Sequence, residues 1–196
     1  MLYDKDEIKQ TIEKRQIYNL YHFTHIDNLS SIIKDGFLSR KLLEQRKIEY
    51  KFSDEHRLDN RLNHISVSVS VPNNKMLYRL YQRNKNLCKN YIILALDVEL
   101  LLEKYDSMLI YEKNAASSNV QPVDTFDKMF GDSKNEKPYD IQAEILIEEG
   151  FSSKYIIGIH YNNREIEKQI EEFWNREDNN ILLLSHSDAE LWKLIE

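Results

Sequence analysis

The sequence predicts an α+β fold, and three observations carry the prediction. Residues 64–71 (HISVSVSV) alternate apolar and polar side chains without a break, as a strand with one buried face does. Residues 91–98 (YIILALDV) are apolar on both faces and too short for most buried helices, which predicts a central strand. Many strand signals with only a few short helical patterns among them complete the reading. At 196 residues, with 41% hydrophobic and 31% charged residues, the chain is expected to form one soluble globular domain.

Taken in order, residues 17–24 (IYNLYHFT) are rich in aromatic and β-branched side chains and predict the first strand. Asp27 or Asn28 is placed to cap a short helix whose Leu29, Ile32 and Ile33 share a face, with Gly36 ending it in a left-handed turn. Residues 39–63 carry much charge and no clean period beyond one helical turn near Leu42 and Leu43, so a long functional or mobile loop is expected. Pro72 stops the alternating strand, and Met76, Leu77 and Leu80 predict a helix over 75–81. A helix at 99–103 and strands at 108–111, 142–147 and 155–161 follow, with 112–139 mostly loop. The core is expected over about 17–161, and residues 162–196 form an extension: a helix at 164–174, an apolar strand at 181–184 and a capped helix from Ser187.

Several classes of function fall away. Four glycines, at 36, 131, 150 and 158, supply neither G-x-G-x-x-G nor a Walker loop, which excludes ordinary kinases and dehydrogenases. Six histidines include no H-E-x-x-H and no zinc-binding spacing, so no metal is expected. The lone Cys88 forms no disulfide framework and fits a reducing cytosol. No apolar run approaches the ~20 residues of a membrane span, and the start lacks a signal peptide; a cytoplasmic protein with no membrane partner is expected. The net charge of −6 hides an asymmetry: residues 1–90 hold 17 Lys and Arg against 11 Asp and Glu, whereas 91–196 hold 10 against 22. The first part is suited to meet phosphates, although two ordinary solvated surfaces would give the same count.

What remains is polar density on strands. His22 and Thr24 share one side of the first strand, with Tyr21 and Phe23 on the other. Ser66, Ser68 and Ser70 form a row, and Gln142 and Glu144 project side by side from a late strand. Each alone has an ordinary explanation: a histidine bonded to backbone, a solvent-facing serine row, a surface pair.

The order of these features, a histidine on the first strand, a serine row on a middle strand and Q-x-E on a late one, resembles the ADP-ribosyltransferase fold. More closely, LYHFTHIDNLSSIIKDGFLS is similar to the opening of the DarT family of nucleic-acid ADP-ribosyltransferase toxins. SDEHRLDN, HISVSVSVPNNKMLY, NAASS and YDIQAEILI follow in the family's order, so the resemblance spans roughly residues 17–161. It implies a split mixed β-sheet core with short flanking helices, NAD as the substrate that is split, and release of nicotinamide.

The resemblance also implies roles. Glu144 is the catalytic carboxylate, stabilising positive charge on the ribose, and Arg57 is the functional arginine, with Arg61 its rival four positions on. His22, Thr24, Asn28, Ser66 and Tyr78 are implied to bind NAD, and Gln142 and Asn114 the acceptor. The implied acceptor is a base in single-stranded nucleic acid, and the implied partner a neutralising antitoxin such as a macrodomain ADP-ribosyl hydrolase, in a toxin–antitoxin pair with a part in phage defence. HISVSVSV stands where better known thymidine-modifying members have an aromatic-rich Y-V-P-F-Y-F, which leaves the base, and DNA or RNA, open. The alternatives are a protein or small-molecule acceptor, or an inactive interaction domain of the same fold.

Overall fold

The computed structural model of the chain describes residues 3–52, 60–83, 89–132, 135–161, 164–174 and 182–184. The expected helix from Ser187, Arg57, Cys88 and the segment SDEHRLD lie outside the described residues.

The chain opens with a helix the periodicity reading passed over, α1 (Lys5–Arg15). Its signals are those of capping and charge: Asp4 accepts from the Asp6 N–H, acids fill the first turn and Lys14 and Arg15 the last. Strand β1 (Asn19–His25) follows, then a 3₁₀ turn at Ile26–Asn28 and α2 (Leu29–Asp35). Neither expected residue caps α2. Asn28 makes no capping bond because its amide is turned elsewhere, and the Asp27 N–H goes to His25 Nδ1. Gly36 ends α2 at φ +82° with extended ψ rather than in a left-handed turn.

Strand β2 (Phe37–Leu38) pairs with the later β7 (Gly150–Phe151) as a separate two-stranded ribbon. The crossing is so close that a Cβ on Gly150 would stand 2.3 Å from the Phe37 carbonyl oxygen, so only glycine fits. Within the expected long loop, Ser39 caps α3 (Arg40–Arg46). Then come β3 (His64–Val69), α4 (Asn74–Arg83), β4 (Tyr91–Asp97), α5 (Glu99–Lys104), β5 (Met108–Tyr111), β6 (Glu144–Glu148), β8 (Ile156–His160), α6 (Arg164–Trp174) and β9 (Leu182–Leu184). Strand β3 stops at Val69, because Ser70 takes φ +59°.

Seven strands form the main sheet in the order β5-β6-β3-β1-β4-β8-β9, antiparallel throughout except for the parallel pair β8–β9. One face buries Leu20, Val67, Val69, Ile92, Leu94 and Ile145 with Ile8 and Ile17. The other packs Leu77 and Leu80 of α4 on Tyr91 and Ile93, with Tyr21 and Phe23 beside them. α1 secures the long loop at 112–139: Glu7 accepts the backbone N–H groups of Phe126 and Asp127, and Arg15 binds the Asp127 carboxylate at 2.8 Å while lying over the Phe130 ring.

The feature that positions the site is a split. Strand β1 pairs with β4 along its whole length, Asn19↔Asp97 to His25↔Tyr91, but meets β3 only at Leu20↔Val69 and Tyr21↔Ser68. Beyond that point β3 continues on β6, from Val67↔Ile145 to His64↔Glu148.

Candidate active site

Where the β1–β3 ladder ends, the His22 imidazole takes over. Its Nδ1 lies 2.9 Å from the Ser66 carbonyl oxygen, an acceptor only, so Nδ1 carries the proton. The ring is held edge-on to Phe37 at 5.3 Å, and Phe37 is stacked on Phe151 at 4.4 Å, so the small ribbon fixes the wedge that keeps the sheet open. The split opens into a cleft of about 240 Å³. Its lining includes His22, Thr24, Asn28, Ser66, Asn114 and Glu144, six residues expected there from sequence.

Glu144 opens β6 with both carboxylate oxygens engaged. The Ser66 hydroxyl donates to Oε2, and the Ala115 N–H donates to Oε1 at 2.8 Å. Ser66 pairs in register with Leu146, which puts its side chain and that of Glu144 on one face of the sheet, diagonal to each other. The serine row is therefore no solvent face: Ser68 is buried at the cleft and Ser66 orients the carboxylate.

Thr24 and Asn28 form a buried pair, Asn28 Nδ2 donating to Thr24 Oγ1 at 3.0 Å. The same amide donates to the Lys51 carbonyl at 2.7 Å and accepts the Lys51 N–H at 2.8 Å, tying residues 47–52 to β1. That strap brings Tyr50 and Phe52 to the cleft, their rings 5.7 Å apart, with the Arg40 guanidinium 4.8 Å over Phe52. Burial pushes the Tyr50 hydroxyl pKa up, and the Glu44 carboxylate adds to it. Beside the strap, burial holds His25 below its ordinary value of 6.5, against the opposing pull of Asp27.

The other expected residues sit elsewhere. Gln142 is not on the strand with Glu144: β6 begins two residues later, and Gln142 lies in a turn where the Asp140 carboxylate accepts its N–H and Lys75 of α4 donates to its side chain at 3.2 Å. Tyr78 is 48% exposed on the outer side of α4, while Met76, about 200° round the helix, lines the cleft. Arg61 is half-buried before β3 and is not part of the lining. Among the described residues no group of three His, Cys, Asp or Glu is placed to hold a metal, and no helix is long and apolar enough to cross a membrane.

Sequence reasoning missed Phe37, Arg40, Tyr50, Phe52 and Ala115. Tyr50 and Phe52 had a signal, as the only aromatics in the charged stretch 39–63. Ala115 had none, because it contributes a backbone N–H.

A histidine-wedged split sheet with an anchored glutamate across the split is the arrangement expected of an ADP-ribosyltransferase fold. Comparison with known proteins agrees. A family model described as ssDNA thymidine ADP-ribosyltransferase, DarT, matches residues 21–187, and the chain belongs to that family. A DNA ADP-ribosyl transferase–DNA ADP-ribosyl glycohydrolase fusion protein of Thermosipho africanus (strain H17ap60334) is 29% identical over 179 residues, covering 80% of this chain and 45% of the relative. Among solved structures, Thermosipho africanus DarTG in complex with ADP-ribose superposes with a TM-score of 0.68 at 24% identity, covering 85% of this chain and 49% of that one. Thermus sp. 2.9 DarT superposes with a TM-score of 0.64 in its complexes with NAD+ and with ADP-ribosylated ssDNA, at 15% and 14% identity. These cover 87% and 96% of this chain, and 96% and 98% of theirs. The chain spans about half the length of the Thermosipho relative.

Proposed function

We propose that this chain is an NAD-dependent mono-ADP-ribosyltransferase that modifies a base in single-stranded DNA. The observation that carries the reading is Glu144, a carboxylate held by two donors where the sheet splits and lining the cleft. The lining suits NAD chemically: flat aromatic groups in Phe37, Tyr50 and Phe52, hydroxyl and imidazole groups in Ser31, Thr24 and His22, and one guanidinium in Arg40. NAD supplies ADP-ribose, the nicotinamide departing with the electron pair of its bond to the ribose while a nitrogen of the base takes its place and loses a proton.

The residues act on that exchange by placement and charge. The Glu144 carboxylate stabilises positive charge as it develops on the sugar and accepts a hydrogen bond from a ribose hydroxyl. Ser66 and the Ala115 N–H hold the carboxylate in place, so it need not reorganise as charge appears. His22 and Thr24 sit on the β1 wall as groups for the ribose and diphosphate. Arg57 is assigned the functional arginine, on the resemblance. Asn114 on the cleft wall and, on the resemblance, Gln142 in the turn before β6 are assigned to the acceptor.

The Thermus complex with ADP-ribosylated ssDNA supports DNA as the acceptor, and the Thermosipho fusion of a transferase with a glycohydrolase supports an ADP-ribosyl hydrolase as the restraining partner. The test is incubation with NAD and single-stranded oligonucleotides of varied sequence. A gain in mass of one ADP-ribose on DNA is expected; label entering only protein would overturn the reading. Expression of the wild-type chain should halt growth, with relief by Glu144→Ala or by the hydrolase, and equal tolerance of both chains would remove the toxin role.

A further inference from the structure

Beyond the cleft, one surface combines charge, aromaticity and position in a way the reaction so far leaves unused. From residue 60 to residue 96 the chain holds six Lys and Arg and not a single Asp or Glu, within a protein of net charge −6. Three of those cations, Lys75, Arg79 and Arg83, lie on α4 at intervals of four residues, with Tyr78 and Gln82 between them, and all five are exposed. That spacing sets them in one stripe, about 6 Å apart along the axis. The opposite side of α4 is apolar, its Leu77 and Leu80 buried against the sheet, so the stripe faces outward by necessity.

The stripe is continuous with the site. α4 packs on the sheet face that carries Ser66 and Glu144; Met76 and Asn73 at its start line the cleft; and Lys75 donates to Gln142, two residues before Glu144.

We propose that α4 is the track for the sugar–phosphate backbone of the single-stranded DNA acceptor. Lys75, Arg79 and Arg83 pair with successive phosphates, and Tyr78, nearly half exposed on the outer side of α4, stacks an unpaired base of the same strand outside the cleft. The identity of the DNA rests on the transferase reading above; the track itself is a matter of charge and geometry. A step of about 6 Å per helical repeat is of the order of one nucleotide's backbone advance, so a strand lying along α4 presents its phosphates to one cation after another. Such contacts carry no sequence information, and base choice stays with the cleft.

Two measurements separate the track from the transferase reading. Binding of a fluorescent single-stranded oligodeoxynucleotide, followed by anisotropy without NAD over a salt series, reports the track alone. Arg79→Gln/Arg83→Gln should lower affinity at 50 mM salt at least about tenfold and flatten the log–log salt slope by about 1.4, roughly 0.7 per phosphate contact on a single strand. Tyr78→Ala should lose about tenfold with the slope unchanged. Lys9→Gln/Lys34→Gln/Lys168→Gln, an equal or larger loss of charge from α1, α2 and α6, should do neither. Wild-type affinity and slope in the Arg79/Arg83 variant would overturn the proposal, as would an equal loss in the control or no binding by the wild-type chain. The second measurement, NAD hydrolysis without DNA, should be unaltered in the Arg79/Arg83 variant; a loss there would assign α4 to the NAD site instead. A wild-type chain that binds DNA through the stripe but never cleaves NAD would sink the transferase reading and leave the track standing.

Discussion

Strand β1 has two edges, and they are treated differently. Toward β4 all seven residues from Asn19 to His25 are paired, and the facing side chains Ile92, Leu94 and Leu96 are wholly buried. Toward β3 the ladder stops after two pairs, and a side chain, His22, replaces the backbone at the Ser66 carbonyl. The closed edge satisfies its hydrogen bonds locally and excludes water. The open edge leaves backbone and side-chain groups facing a cleft, which is where substrate chemistry has room. Stability is thus carried by one edge of the strand, and the proposed activity by the other.

That division can be broken from either side. On the open edge, Glu144→Gln keeps the side-chain shape and one oxygen for the Ala115 N–H, its amide nitrogen turned to donate to the Ser66 hydroxyl oxygen, but removes the charge, so transfer should fall ~10²–10³-fold with the thermal midpoint little changed. Unfolding of the variant would give Glu144 a structural role. On the closed edge, Leu94→Ala removes a wholly buried side chain facing His22 and should cost ~2–5 kcal/mol in denaturant unfolding. A smaller loss, below about 1 kcal/mol, would mean the β1–β4 pair is not the foundation described above.

Finer changes sharpen the contrast. Ser66→Ala removes one of the two donors that orient Glu144; kcat should drop about tenfold, as for a hydrogen bond to a charged group, while the NAD KM stays within twofold. Asn28→Ala frees the strap at Lys51, and the NAD KM should rise several-fold with kcat at saturation nearly kept, because the Glu144 anchor is untouched. A fall in kcat alone would place Asn28 at the reacting centre instead.

The smallest effect is one of pH. Burial holds the His25 imidazole below its ordinary 6.5, so as pH falls the unfolded chain takes up the proton first. The stability His25 contributes is therefore full above about pH 6.5 and lost as pH falls through the lower folded value. His25→Gln should flatten unfolding free energy against pH below about 6.5; an unchanged slope would mean the ring already titrates normally in the folded chain.

Much of this was legible from local pattern. Alternation in HISVSVSV and the doubly apolar YIILALDV located β3 and β4, because burial on one face or on two leaves a period in the chain itself. His22 and Glu144 were singled out as strand-borne polar groups, and the resemblance placed both in one site. The helix at Lys5–Arg15 was missed because its signal lies in caps and terminal charges and only part of one face is buried.

Contacts between segments distant in sequence were not legible. That the Ser66 hydroxyl meets Glu144, 78 residues away, or that an alanine N–H completes the anchor, depends on a register no local pattern encodes. Asn28 looked like a helix cap because Asn before an apolar turn usually is one; the fold instead spends its amide on the backbone of Lys51, 23 residues on. The period of a segment follows from which face it buries, a property the residues carry with them, so strands and helices can be read along the chain. Which polar groups meet in a cleft follows from strand order and from where a ladder stops, and those exist only once the whole sheet has formed.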